Sequence, residues 1–235
     1  MASSKENFGF RLKKRDCGIS MKLVPYGAGW TDVYLNIGED KLYFIISAVL
    51  GDTFTDLLRV LYFLHPENND PEHEENYIDC WEGLIENNEV VEIAERIDKC
   101  PCTIRPIPKK GEFIWDEEGS ESKWVIEREP TLDTDFDIRI SIDICRDETE
   151  HYEYTVRYKD FCYAVAKTCT EVLKSHGIYG YHHSIYQDDM HLRYLLFIKS
   201  AALDNFEARE LTDMGDKNGE GSSFEKEIEL LMFDM

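Results

Sequence analysis

A chain of 235 residues with 26 Lys and Arg against 48 Asp and Glu carries a net charge of −22, which repels nucleic-acid backbones and anionic membranes. Its 43% hydrophobic and 12% aromatic content is that of a globular chain with ample material for a core, not of a disordered one. No run of about 18 apolar residues occurs, so neither a nucleic acid nor a membrane is an expected partner.

Seven cysteines, an odd number, are scattered through segments such as FCYAVAKTC and suit reduced core thiols better than a disulfide frame. The opening MASSKENFGFRLKKRD has no apolar stretch before its basic cluster, so no secretory signal is expected and the cytoplasm is the expected compartment. Charge is uneven along the chain. Residues 1–60 balance at +1, residues 61–150 at −17 and the remainder at −6.

In chain order, FGFRLKK, ISMKLVPY, WTDVYLNI and KLYFIIS read as strands. In the third, Trp30, Val33, Leu35 and Ile37 approximate one face, with Asp32 and Asn36 opposite. Gly38, Glu39 and Asp40 read as a hairpin connection. A helix follows Gly51, with Asp52 as its cap. Phe54, Leu57, Leu58, Leu61 and Leu64 recur along it at three- and four-residue spacing, and His65-Pro66 ends it.

ENNDPEHEEN, residues 67–76, is an acidic loop, and the stretch after it fits neither a strand nor a helix period. The prolines of CPCTIRPIPKKG exclude a central strand there. EFIWDEEG, SKWVIERE and DFDIRISIDIC then alternate as strands, and HYEYTVRY returns beside the last. Phe136, Ile138, Ile140, Ile142 and Ile144 share one face, while Asp135, Asp137, Arg139, Ser141 and Asp143 share a wet, acidic one.

KDFCYAVAKTCTEVLKSHG is a second helix, with an apolar stripe through Phe161, Val165, Thr168, Cys169 and Val172 and Gly177 as its left-handed C-cap. A third lies in DDMHLRYLLFIKSAALDNF, capped by Asp189, with Leu192, Leu195, Leu196 and Leu203 inward. The expected fold is α+β: mostly antiparallel β-sheet with two or three packed helices. One globular domain spans 1–206, and it is divisible into two strand-helix halves near 66–110, although no residue-by-residue repeat relates them. A flexible polar linker follows at 207–223. The amphipathic end, 224–235, docks on the body or on a partner.

HGIYGYHHSIYQDDMH, residues 176–191, gathers four histidines and two aspartates. His182, His183, Asp188 and His191 could converge on zinc only if the loop folded back. Adjacent His182 and His183 point apart on an extended segment, and helix ends explain His176 and the aspartates. The stretch reads as a connection between helices. Cys100-Pro101-Cys102 has the wrong spacing for a redox pair or a zinc knuckle. The glycines near Gly27 lack the following helix that a phosphate cradle needs. The carboxylates at Asp116, Glu117, Glu118, Glu121, Asp135, Asp137 and Asp143 are abundant without the fixed pairing of a glycosidase.

No catalytic spacing appears, so the expectation is a non-enzymatic cytosolic binding protein without a cofactor. Those seven acidic residues would engage a basic protein partner, as in a toxin-immunity or inhibitor protein. Trp81, Trp115, Trp124, Tyr152, Tyr154 and Tyr158 would serve as anchors where exposed, although burial is the usual fate of such residues. The alternatives are a metal-dependent hydrolase built on the histidine stretch, and an acidic scaffold component.

Overall fold

The structure, a computed structural model, describes residues 18–27, 29–47, 53–66, 68, 109–116, 119–131, 133–146, 148–184, 190–203 and 224–235. The acidic loop, the Cys100-Pro101-Cys102 turn, the strand expected in FGFRLKK, Asp52, Trp81 and the 207–223 linker lie outside these residues.

Two antiparallel meanders carry the α+β fold. The first is β1 (Ile19–Gly27), β2 (Trp30–Ile37) and β3 (Asp40–Ser47), followed by helix α1 (Thr53–Leu64). The second is β4 (Lys109–Asp116), β5 (Glu121–Arg128), β6 (Asp137–Cys145) and β7 (Thr149–Arg157), followed by α2 (Tyr158–Ser184). Two further helices, α3 (Leu192–Ala202) and α4 (Phe224–Met232), complete the described chain. Strands followed by a helix therefore do recur.

Alternation sets each sheet's inner face. Ile138, Ile140, Ile142 and Ile144 of β6 are buried, and Phe136 joins them just before the strand. In β2 the buried set is Thr31, Val33, Leu35 and Ile37. Trp30 falls on the other face, against expectation, because a two-residue period gives the odd positions to the core whatever their chemistry. The buried aromatics meet where the meanders face each other. Phe44 lies 5.3 Å from Trp115 and 5.5 Å from Trp124, and the two tryptophans are 4.6 Å apart. Such ring pairs add about 0.5–1.5 kcal/mol beyond their burial.

Each helix packs on the first strand of the other meander: α1 on β4, and α2 on β1. All five apolar residues expected on α1 are buried, as is Val60. Val60 sits over Gly111 of β4, where an added Cβ would lie 2.4 Å from Val60 Cγ1. Tyr158 at the start of α2 donates its hydroxyl to Leu61 O (2.7 Å), and Thr168 donates to the carbonyl of Met21 in β1.

Helix α2 breaks at Gly177, whose φ of 70° and ψ of 165° are essentially reserved for glycine. The expected C-cap is instead a kink. The chain resumes helix as far as Ser184, so the histidine stretch is partly helical and not simply a connection. Before the break, His176 Nδ1 donates to Val172 O (3.1 Å), one turn back along the helix. Helix α3 begins at Leu192, later than a cap at Asp189 implies. Its N-cap position is His191, which makes no side-chain cap bond. Of the expected inward leucines, Leu195 and Leu203 are buried, while Leu192 and Leu196 are half-buried.

Neither α1 nor α4 has a basic residue in its last turn. Both receive a lysine from elsewhere. Lys109 of β4 donates to His65 O (3.2 Å) and to the carbonyl of Asn68. Lys199 of α3, fully buried, donates to Leu231 O (3.0 Å), Phe233 O (2.7 Å) and Thr170 Oγ1 (3.1 Å). A cation there satisfies free carbonyls and complements the helix dipole. Leu230 packs with Leu203, Leu196 and Phe233, and Lys174 pairs with Asp234. The amphipathic end is thus docked on the body.

Two outcomes are expected. Gly111→Ala should destabilise the fold by about 1–3 kcal/mol, the usual cost of overpacking, and Val60→Ala should recover part of it in a double-mutant cycle read by denaturant unfolding. Strict additivity would remove this contact from the account. Lys199→Met should leave the carbonyls of Leu231 and Phe233 without their donor, at about 1–3 kcal/mol each. Amide exchange across 224–232 should then accelerate while β5 and β6 stay protected. Unaltered exchange in α4 would show that the lysine does not hold it.

Candidate functional site

The outer face of the four-stranded sheet carries the predicted acidic residues, and register fixes their neighbours. Asp116, Glu121 and Cys145 align across β4, β5 and β6, with Asp143 and His151 in the next row. Asp137 lies at the other end, opposite Arg157, and Asp135 precedes it. From Asp137 to Asp143 is about 20 Å along an extended strand. The predicted set therefore falls into two groups, with Glu117 and Glu118 outside the described residues.

Between and within these groups, bases interrupt the acids. Arg139 meets Glu127 at 2.5 Å and Glu153 at 4.0 Å, and Glu112 meets Lys110 at 2.5 Å and Lys123 at 3.4 Å. His151 Nδ1 lies 2.6 Å from Asp143 Oδ1, and Arg157 lies 3.5 Å from Asp135. The hydrogen bond and charge of Lys110, with Lys123 adding to them, hold the Glu112 carboxyl below its ordinary range. The face is wet and acidic, as expected, a lattice in which carboxylates outnumber the bases set among them. Water screens exposed pairs of this kind, so they contribute little to stability.

The expected aromatic anchors divide. Trp115, Trp124 and Tyr158 are core. Tyr152 and Tyr154 on edge strand β7 are half-buried, and each hydroxyl reaches a carboxylate: Tyr152 to Glu150 (2.6 Å) and Tyr154 to Asp40 (2.9 Å). The Tyr154 hydroxyl is held above its ordinary range by burial and then by Asp40. Sequence alone did not point to a second pair. Tyr34 and Tyr43, 40% and 38% exposed, stand opposite each other on the outer face of β2 and β3 with ring centroids 5.1 Å apart. Both hydroxyls donate to Asp32, at 3.4 and 2.9 Å. Strand β3 joins the two pairs: it supplies Asp40 and Tyr43, and Tyr43 O accepts from Arg146 (2.9 Å) in the β6–β7 turn. The signal for Tyr34 and Tyr43 was available in the alternation of β2 and β3.

His191 is exposed at the start of α3, its ring stacked 5.6 Å from Tyr194. The side chains of His182 and His183, and Asp188, lie outside the described residues. Among the described residues no group of three or more His, Cys, Asp or Glu is arranged to hold a metal. Cys145, Cys162 and Cys169 are free thiols, and burial pushes the latter two far above the ordinary range, Cys169 up to about 12. Such thiols are poor nucleophiles. Among the described residues no helix is long and apolar enough to cross a membrane.

His65 is the strongly perturbed histidine. Its ring is buried against Phe136, Tyr158 and Phe197, at 6.3, 5.8 and 5.1 Å. Burial, then the charges of Lys109, Arg128 and Lys159, push it down to about 4. This is a neutral core histidine at a helix end. Compared with protein-family models, with curated proteins and with solved structures, the chain matches none.

The pH consequence of His65 follows from its direction. The unfolded chain takes up a proton near pH 6.5 that the folded state resists until about 4, so stability present above pH 6.5 is lost as pH falls through that window. The loss from this group is on the order of 3 kcal/mol when complete. His65→Gln should flatten the fall in unfolding free energy between pH 6.5 and 4 relative to the parent chain. Parallel pH curves would show that His65 is not the group responsible.

Proposed function

We propose that the chain is a non-enzymatic cytosolic binding protein that engages a basic protein partner, with its contact surface around β3 and not on the lattice face of the second meander. One observation carries the reading. Tyr34 on β2, Tyr43 on β3, and Tyr152 and Tyr154 on β7 each donate their hydroxyl to a carboxylate of Asp32, Glu150 or Asp40. Hydroxyls anchored in this way restrain the rings, Tyr34 least at 3.4 Å, which lowers the ordering cost of binding. Tyrosine faces attract Lys and Arg through the ring quadrupole, and the same carboxylates accept from them. Tyrosine is also enriched among residues that dominate binding energy. The net charge of −22 adds steering of a basic partner. A protein that neutralises a basic toxin is one form this takes.

The test compares two variants against a partner recovered from native cells. Tyr34→Ala with Tyr43→Ala should speed dissociation at least tenfold, about 1.4 kcal/mol or more. Asp135→Asn, Asp137→Asn and Asp143→Asn together should only slow association at low salt, because rim charges act chiefly on encounter. Recovery of an acidic partner, or dissociation unaffected by the tyrosine changes, would refute the proposal.

A further inference from the structure

The C-terminal helix is docked with its larger apolar stripe facing out. Lys226 and Leu230 are buried and Phe233 packs beside Leu230, so this side lies against the body. On the opposite side Phe224, Ile228 and Met232 are 73%, 42% and 62% exposed. At four-residue spacing these three form one ridge, about 12 Å long. A helix that served only to cover the core would show the reverse arrangement, with its polar side in water. Its attachment is nevertheless firm. Lys199 holds the carbonyls of Leu231 and Phe233, and Lys174 pairs with Asp234. The ridge is therefore presented on a fixed support.

Charge selects what covers it. Glu225 and Glu229 are exposed on one flank and Glu227 is half-buried on the other, while the helix's own base, Lys226, is turned inward. A second copy would bring like charges together along this ridge and meet a chain of net charge −22. We infer that α4 is a docking helix whose outward ridge receives the apolar stripe of an amphipathic, Lys/Arg-flanked helix of a partner protein. Ridge-to-groove packing of two helices suits a narrow convex strip, and flanking charges set partner choice as they do in coiled coils. The inference extends the proposed binding role to a second surface and rests on it only in taking the partner as basic.

The probe is a displayed library of helical peptides with a randomised apolar stripe and randomised flanks, selected on the full chain. Peptides enriched in Lys and Arg on both flanks are expected. They should lose at least tenfold in affinity on the triple variant Phe224→Ser, Ile228→Ser, Met232→Ser, whose changes are all at exposed positions and leave Leu230 and Lys199 in place. Binding should be unaltered by Tyr34→Ala with Tyr43→Ala. Enrichment of uncharged or acidic flanks, equal binding to the triple variant, or no enrichment would overturn the inference. So would a dimer in sedimentation that the triple variant dissolves. Peptides sensitive to the tyrosine changes alone would overturn it while leaving the tyrosine surface supported.

Discussion

The close approach of α1 to β4 governs the arrangement of everything else. Helix α1 leaves the first meander and lies on the first strand of the second, with Val60 over a position that has no side chain. From there Leu61 accepts the hydroxyl of Tyr158 and so locates the start of α2, which crosses back to β1. The two crossings bring the inner faces together at Phe44, Trp115 and Trp124. They also bring β7 within reach of β3, so that Tyr154 finds Asp40 across 114 positions of sequence. The Tyr154–Asp40 contact is thus a product of how the meanders are clamped, whereas Tyr34 and Tyr43 meet within the first meander.

What could be read from the sequence was whatever a local period encodes. Phe136 to Ile144 alternate so strictly that burial, register and exposure of the aspartates all follow from one rule. Trp30 shows the limit of that reading, since chemistry drew it inward while parity put it outside. Gly177 signalled a departure from helical geometry, yet nothing nearby told whether the chain would re-enter the helix. The acidic face was legible as exposed, but its ion pairs were not, because their partners come from neighbouring strands whose register is a tertiary fact. Lys199 sits among Phe197, Ile198 and Ala201 like any helical lysine, and the carbonyls that justify its burial arrive from residues 231 and 233.

A chain with 48 acids has carboxylates to spare, so a buried base is expected to meet a carboxylate first. Lys199 does otherwise and sits on backbone carbonyls at the end of α4. Partial charges require less desolvation than a full carboxylate would, which makes a helix terminus a tolerable partner for a buried ammonium. Burial still acts against the charge, and with the help of Lys174 it brings Lys199 down to about 8. The surface acids are left for water, for tyrosine hydroxyls and for the scattered bases of the second sheet.

The position of Lys199 also makes residues 231–233 a condition for closing the interior around it. A polypeptide cut short of Leu231 would still fold α3 against α2, but around an ammonium whose backbone acceptors had never been made. Such a product would have either to turn that lysine out into water, opening the packing around Ile198, or to hold it neutral. Loss of residues 231–233 would thus show as loosened helices in the interior and not only as a missing segment.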